Sequence, residues 1–112
     1  MVKNILTAAG LVENQTFREC RFLKPPKTSY AVFFDTVQRR GSDEAARIKN
    51  HSITIELYEY APDPTVEQNI ETQLDAAFSK MLTGWTKGER VWIESEQLYQ
   101  VIYSFEYIEK IN

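Results

Sequence analysis

Two segments of the chain suit a pleated sheet and little else, and a polar, charge-dense insert keeps them apart. Residues 30–37 are rich in β-branched and aromatic types, among them Tyr30, Val32, Phe33, Phe34, Thr36 and Val37. In residues 51–60, Ile53, Ile55 and Leu57 fall on one face, while Ser52, Thr54, Glu56, Tyr58 and Tyr60 fall on the other. That alternation predicts one buried face and one at least partly wet. The insert 39–50 carries Arg39, Arg40, Asp43, Glu44, Arg47 and Lys49. A two-residue turn would close the hairpin, so the extra length points to a loop kept for contact. Two readings of it stand at this stage, mobile solvated surface or a loop ordered in an assembly.

The remaining segments complete an α+β pattern. Val2, Ile5, Leu6 and Ala9 recur at helical spacing ahead of Gly10, which predicts a short N-terminal helix over 2–11. Residues 17–23 read as a short strand whose alternation slips near Cys20, and Pro25 and Pro26 end it by withdrawing two backbone donors. Asp63 is the expected N-cap of a second helix, with Pro64 at its first position and Glu67 near its positive end. Val66, Ile70, Leu74, Ala77, Phe78 and Met81 then form its apolar stripe. Residues 85–94 and 97–109 read as a hairpin turning around Ser95 and Glu96. In its second strand Tyr99, Val101, Tyr103, Phe105 and Tyr107 share one face, and Leu98, Ile102 and Ile108 make most of the other apolar too. Such a strand is expected to be sandwiched or partly covered. The order α-β-β-β-α-β-β predicts a single α+β domain over residues 1–112, a mainly antiparallel sheet of about five strands with the N-terminal helix and the central amphipathic helix packed on it.

Chemistry narrows the function. A chain of 112 residues buries roughly two-thirds of the surface its unfolded form exposes, which leaves little room for a deep cleft. Thirteen basic against sixteen acidic residues, a net charge of -3, argue against free-standing affinity for nucleic acid. The lone Cys20 cannot form an internal disulfide, and no apolar run has the length of a membrane span, so a reducing, aqueous compartment is expected. His51, the one histidine, has no nucleophile at recognisable spacing and reads as a structural or surface residue. Cys20 reads as a small packed side chain, and the two lack the paired spacing of a zinc site. The run from Gly84 to Gly88 lacks the strand-to-helix setting of a phosphate loop. Asp35, Asp43 and Glu44 read as solvated charge rather than an acid-base pair. The aromatic residues around Tyr99, Tyr103, Phe105 and Tyr107 sit beside Glu94, Glu96, Glu106 and Glu109, which would repel phosphates, so core and interface packing accounts for them better than base stacking. The expectation is a protein that is not an enzyme and needs no metal or cofactor.

The opening Val2-Lys3-Asn4-Ile5-Leu6, the strand from Tyr30 to Asp35, the insert around Arg40-Gly41-Ser42-Asp43, the strand from His51 to Tyr60 and the terminal hairpin together resemble small tail-completion or tail-terminator proteins of tailed phages and of prophages in Gram-positive bacteria. The resemblance spans nearly the whole chain and rests on size, element order and local phrasing. It implies a protomer that forms a homo-oligomeric ring, commonly a hexamer, at the head-proximal end of the tail, assembled in the host cytoplasm. The implied partners are the tail tube protein and a head-tail connector protein, with DNA only in transit and no membrane. It further implies that the insert, with Arg39, Arg40, Asp43, Glu44, Arg47 and Lys49, faces the channel or a neighbouring subunit. Other readings are a head-completion or minor tail protein, and a small host-directed binding module.

Overall fold

Three long strands organise the molecule. The computed structural model describes residues 1–39, 48–60 and 69–110. Within them β3 (Ile48–Tyr60) and β6 (Leu98–Lys110) pair antiparallel along their full thirteen-residue lengths, and β2 (Tyr30–Arg39) pairs antiparallel with the other side of β3. The short β1 (Phe17–Glu19) lies parallel to β2, while β4 (Thr86–Lys87) and β5 (Val91–Ile93) both pair with β6. The result is α+β with a six-stranded mixed sheet in the order β1-β2-β3-β6-β4. The β1–β2 pair is the parallel exception to the expected antiparallel pattern, and the single strand expected over 85–94 is broken into β4 and β5 around Gly88, whose N–H donates to the Ile102 carbonyl.

The period of two assigns the faces as the sequence indicates. Ala31 and Phe33 of β2, Ile53, Ile55 and Leu57 of β3, and Val101, Tyr103 and Phe105 of β6 share the core face, all buried. Two helices cover it, α1 (Val2–Ala8) through Val2, Ile5 and Leu6, and α2 (Ile70–Met81) through Leu74, Ala77 and Phe78. Phe17 closes the core beside Phe33. A fully buried phenylalanine or leucine contributes about 1.5–3 kcal/mol, so this layer supplies most of the drive to fold.

Three local expectations are corrected. The second face of β6 is covered only at Leu98, which is 3% exposed: Ile102 and Ile108 stand 38% and 66% exposed, because both helices lie on the opposite face of the sheet. The strand after α1 stops at Glu19 because Cys20 adopts φ 68°, a left-handed turn that also leaves its side chain exposed rather than packed. Gly10, by contrast, closes α1 as its position predicts, at φ 93°, where a Cβ would also approach Gln73 Oε1 to 2.9 Å.

The start of α2 is the third. Asn69, in extended conformation, is its N-cap, and its Oδ1 accepts the N–H groups of Glu71 and Thr72 at 2.7 and 3.4 Å. Asp63, Pro64, Val66 and Glu67, expected to open the helix, lie outside the described residues. The cap is reinforced from the sheet, since Oε1 of Glu59 accepts the same Glu71 N–H at 2.8 Å. Replacing Asn69 with alanine should therefore lower stability by about 1 kcal/mol, at the mild end for a cap because Glu59 remains. Urea unfolding followed by circular dichroism measures it.

Candidate interaction surface

The three long strands outrun the helices. Phe78 of α2 reaches as far as Phe105, whose partner on β3 is Ile53. Beyond that pair β2, β3 and β6 continue as a three-stranded arm, with Val37 opposite His51 and His51 opposite Tyr107. The ladder also absorbs residues expected in the insert: Arg39 ends β2, and Lys49 sits in β3 between Arg39 and Glu109. Lys49 is thus a strand residue. Arg40, Asp43, Glu44 and Arg47 lie outside the described residues.

His51 fastens the arm on the core face. It is 7% exposed, its ring stacks on Tyr107 at 4.3 Å and 4°, and Nδ1 lies 2.9 Å from Asp35 Oδ1 while Nε2 lies 3.3 Å from Glu109 Oε1. Asp35 is on β2 and Glu109 on β6, so one imidazole ties together three strands. Asp35 is therefore half-buried and ion-paired, in place of the solvated loop charge expected. Both ring nitrogens are engaged, which suits a clamp. Burial pulls the pKa of the imidazole down, but its hydrogen bonds to Asp35 and Glu109 and their negative charge outweigh this and hold it above the ordinary value.

That direction has a consequence for stability. A histidine whose folded pKa exceeds its unfolded value of 6.5 contributes stability that is fully present below pH 6.5 and is lost as pH rises through the folded value. Unfolding free energy should fall across that window, and His51→Gln should flatten the slope. Urea titrations from pH 5.5 to 8.5 read both; an unchanged slope in the variant would show that the clamp is not the titrating group.

A second ionic cluster lies along the N-terminal half of α2. Glu71, with a side chain 9% exposed, accepts from Lys87 Nζ at 2.7 Å and from Arg90 Nη2 at 2.7 Å. Lys87 also reaches Asp75 at 2.8 Å, and the other Asp75 oxygen accepts the Tyr103 hydroxyl at 2.6 Å. Burial, followed by that bond to a carboxylate, raises the Tyr103 pKa. Opposing burial with hydrogen bonds to Asp75 and Glu71 raises Lys87. Each charge here is matched by another, so the cluster fastens α2 to β4 and β6. At its upper end Glu59 is 5% exposed, its Oε2 has no hydrogen-bond partner among the described residues, and burial pushes its carboxyl pKa up against the lowering effect of the Glu71 N–H. A signal existed in the acids Glu71 and Asp75, one turn apart on one helix face, but nothing in sequence tied them to Lys87, Arg90 and Tyr103.

Beyond these clusters the arm offers exposed apolar side chains. Phe34 and Val37 on β2 and Ile108 on β6 are 36%, 44% and 66% exposed. All three lie along stretches of strand with no outer neighbour among the described residues. β1 pairs only with Ala31 to Phe33, β4 and β5 reach only to Ser104, and among the described residues 34–39 and 105–110 are bonded on their β3 side alone. Open strand edges flanked by exposed apolar side chains are templates for another chain. The open face of the arm adds a recess of about 390 Å³ bordered by Asn50, Ser52, Glu106 and Ile108. Among the described residues no group of histidine, cysteine and acidic side chains is arranged to hold a metal, and no helix is long and apolar enough to cross a membrane. No protein-family model matches the chain, and no curated protein does.

Proposed function

We propose that this chain is a structural assembly protein that works by docking onto copies of itself, and that the assembly it builds is a ring of the tail-terminator kind, ending tail-tube polymerisation and presenting a surface to the head-tail connector. The observation that supports self-assembly is the arm, with two edges that have no outer partner among the described residues and with Phe34, Val37 and Ile108 exposed beside them. A contact in which one patch meets a different patch on the next copy closes into a ring when the rotation per copy permits. The identity of the assembly rests on the resemblance of the strand, insert and hairpin segments to tail-terminator proteins.

The chemistry is compatible with work done by association. The imidazole of His51 and the carboxylates of Glu71 and Asp75 are bonded to internal partners, which leaves them engaged in holding the fold. The acidic balance, a net charge of -3, suits a channel through which DNA passes without sticking. Light scattering on the purified protein, with electron microscopy of tail-tube protein polymerised in its presence, tests the reading. Rings and tubes of shortened, uniform length are expected; a strict monomer with no effect on tube length would overturn it.

A further inference from the structure

We infer that neighbouring copies join head to tail through two charged flanks of the sheet, the basic segment 18–27 of one copy docking on the acidic edge 89–96 of the next. This rests on the self-assembly half of the proposed function and is independent of the phage half. The contact lies at the other end of the long strands from the arm and adds to what the arm offers.

Topology forces the first flank outward. Because β1 runs parallel to β2, the chain must travel back after Glu19, which lies across from Phe33, to start β2 at Tyr30. It returns over the open face. Phe22 meets the Tyr30 ring edge-on at 5.6 Å, and Phe22 and Pro25 border a recess with Tyr30, Val32 and Tyr58. With Phe22 turned inward, Leu23 is left 80% exposed, more than any other large apolar side chain among the described residues. Arg18, Arg21, Lys24 and Lys27 around it are exposed, and Glu19 is the one acid of the segment. Pro25 and Pro26 fix φ at two positions, so little backbone freedom is lost when this segment docks.

The second flank is β5 with the residues on either side of it. Val91 is 51% and Trp92 38% exposed. Glu89, Glu94 and Glu96 are exposed around them, and Glu94 accepts the Trp92 indole N–H at 2.6 Å. The one base here, Arg90, bonds to Glu71 and lies over the Tyr99 ring, so its charge is matched within the protomer.

Strand register sets the two flanks nearly level. Arg18 is in line with Val32, Glu56 and Ile102, and Val91 with Gln100, Tyr58 and Tyr30. These rows are two residues apart, about 7 Å along the strands, so a small shift between copies brings the flanks together. Contact is through side chains, and no strand of one copy enters the sheet of the next. Since β1 and β5 lie on opposite sides of the sheet, each copy gives one flank and receives the other, the arrangement that closes into a ring when the rotation permits. Each flank has an apolar centre inside a charged rim, Leu23 and Pro25 within cations against Val91 and Trp92 within acids. Contact of like flanks would set cation on cation or acid on acid, so charge selects the head-to-tail contact.

Charge reversal tests the inference. Arg21→Glu with Lys24→Glu leaves a chain whose two flanks are both acidic. Glu89→Lys with Glu96→Lys leaves one whose flanks are both basic, and it spares the bond between Trp92 and Glu94. By light scattering at low salt, each variant alone should assemble at least about tenfold more weakly than the parent. The two variants mixed, under different tags, should assemble again and co-purify. Undiminished assembly of either variant alone would mean that its reversed flank is not the contact, and a mixture no better than its parts would equally overturn the inference. Leu23→Ser gives a second reading, because a side chain this exposed contributes little to the protomer. It should keep its circular dichroism and urea midpoint and lose assembly; retained assembly would count against the contact. Raising salt from about 0.1 M to about 1 M shortens the Debye length from about 10 Å to about 3 Å and should weaken assembly of the parent. If a charge variant misfolds, the Leu23→Ser and salt results decide. A parent that is monomeric at low salt would sink the self-assembly reading along with this contact, whereas a parent that assembles beside charge variants that also assemble would sink the contact alone. Flank-dependent rings that do not alter tube length would sink the tail reading while supporting this contact.

Discussion

Phe78→Ala should cost about 3–5 kcal/mol, the largest loss of any single truncation on the helical layer. Phe78 is fully buried where α2 meets β6 and the segment leading into β4. Its ring stacks on Tyr103 at 4.9 Å and on Trp85 at 5.1 Å, and meets Phe105 edge-on at 5.7 Å. Truncation removes apolar burial, leaves a cavity, and dissolves three aromatic contacts that each add about 0.5–1.5 kcal/mol beyond area. Tyr103 cannot collapse into the space without stretching its 2.6 Å bond to Asp75. Against a total of about 5–15 kcal/mol for a domain of this size, the variant should melt many degrees lower. Phe78→Leu, which keeps most of the volume, should lose no more than about 1.5 kcal/mol. Urea unfolding of both decides; a loss under about 1 kcal/mol for the alanine variant would show that α2 settles onto the sheet without this ring.

Much of this packing can be read from the chain, because period sets faces. Ile53, Ile55 and Leu57 alternate with polar residues, so the core face of β3 follows from sequence alone, and the same period groups Val101, Tyr103 and Phe105 on one face of β6. Alternation is silent about what covers a face. Ile102 and Ile108 make the second face of β6 look buried, and only the placement of both helices on the other side exposes them. Helix starts are ambiguous for a similar reason. Asp63-Pro64 has the chemistry of a cap, but Asn69 is the residue whose side chain meets the helix N–H groups, helped by Glu59 from a distant strand. The insert was legible as an interruption and its ends were not, since Gln38–Asn50 and Arg39–Lys49 extend the ladder through polar residues that read as loop. Strand edges are the least legible feature. Whether β6 has an outer neighbour at Ile108 depends on where β4 and β5 stop, and those strands are only two and three residues long. The same holds for Asp35, whose ion pair with His51 joins residues sixteen apart, and for Glu71 with Arg90, nineteen apart.

The second large effect is expected at Glu71. Replacing it with lysine should cost about 3 kcal/mol, near the lower end of the range for breaking a buried ion pair. The substitution removes the acceptor of Lys87 and Arg90 and sets a third cation beside them, at a side chain only 9% exposed. The lower end applies because Lys87 and Arg90 are themselves 29% and 43% exposed and can turn toward water, and Lys87 keeps Asp75. The change also places positive charge in the first turn of α2, where the helix dipole favours an acid. Glu71→Gln, which keeps an acceptor and the shape, should lose about 1–2 kcal/mol. In a Lys87→Met background that smaller loss should shrink further, since part of it is the interaction between the two; a double-mutant cycle by urea unfolding isolates the term. A lysine variant within about 0.5 kcal/mol of the parent would show that the cluster holds nothing. Because the cluster lies between α2, β4 and β6 and away from residues 105–110, a Glu71 variant kept below its melting temperature should still assemble as the parent does.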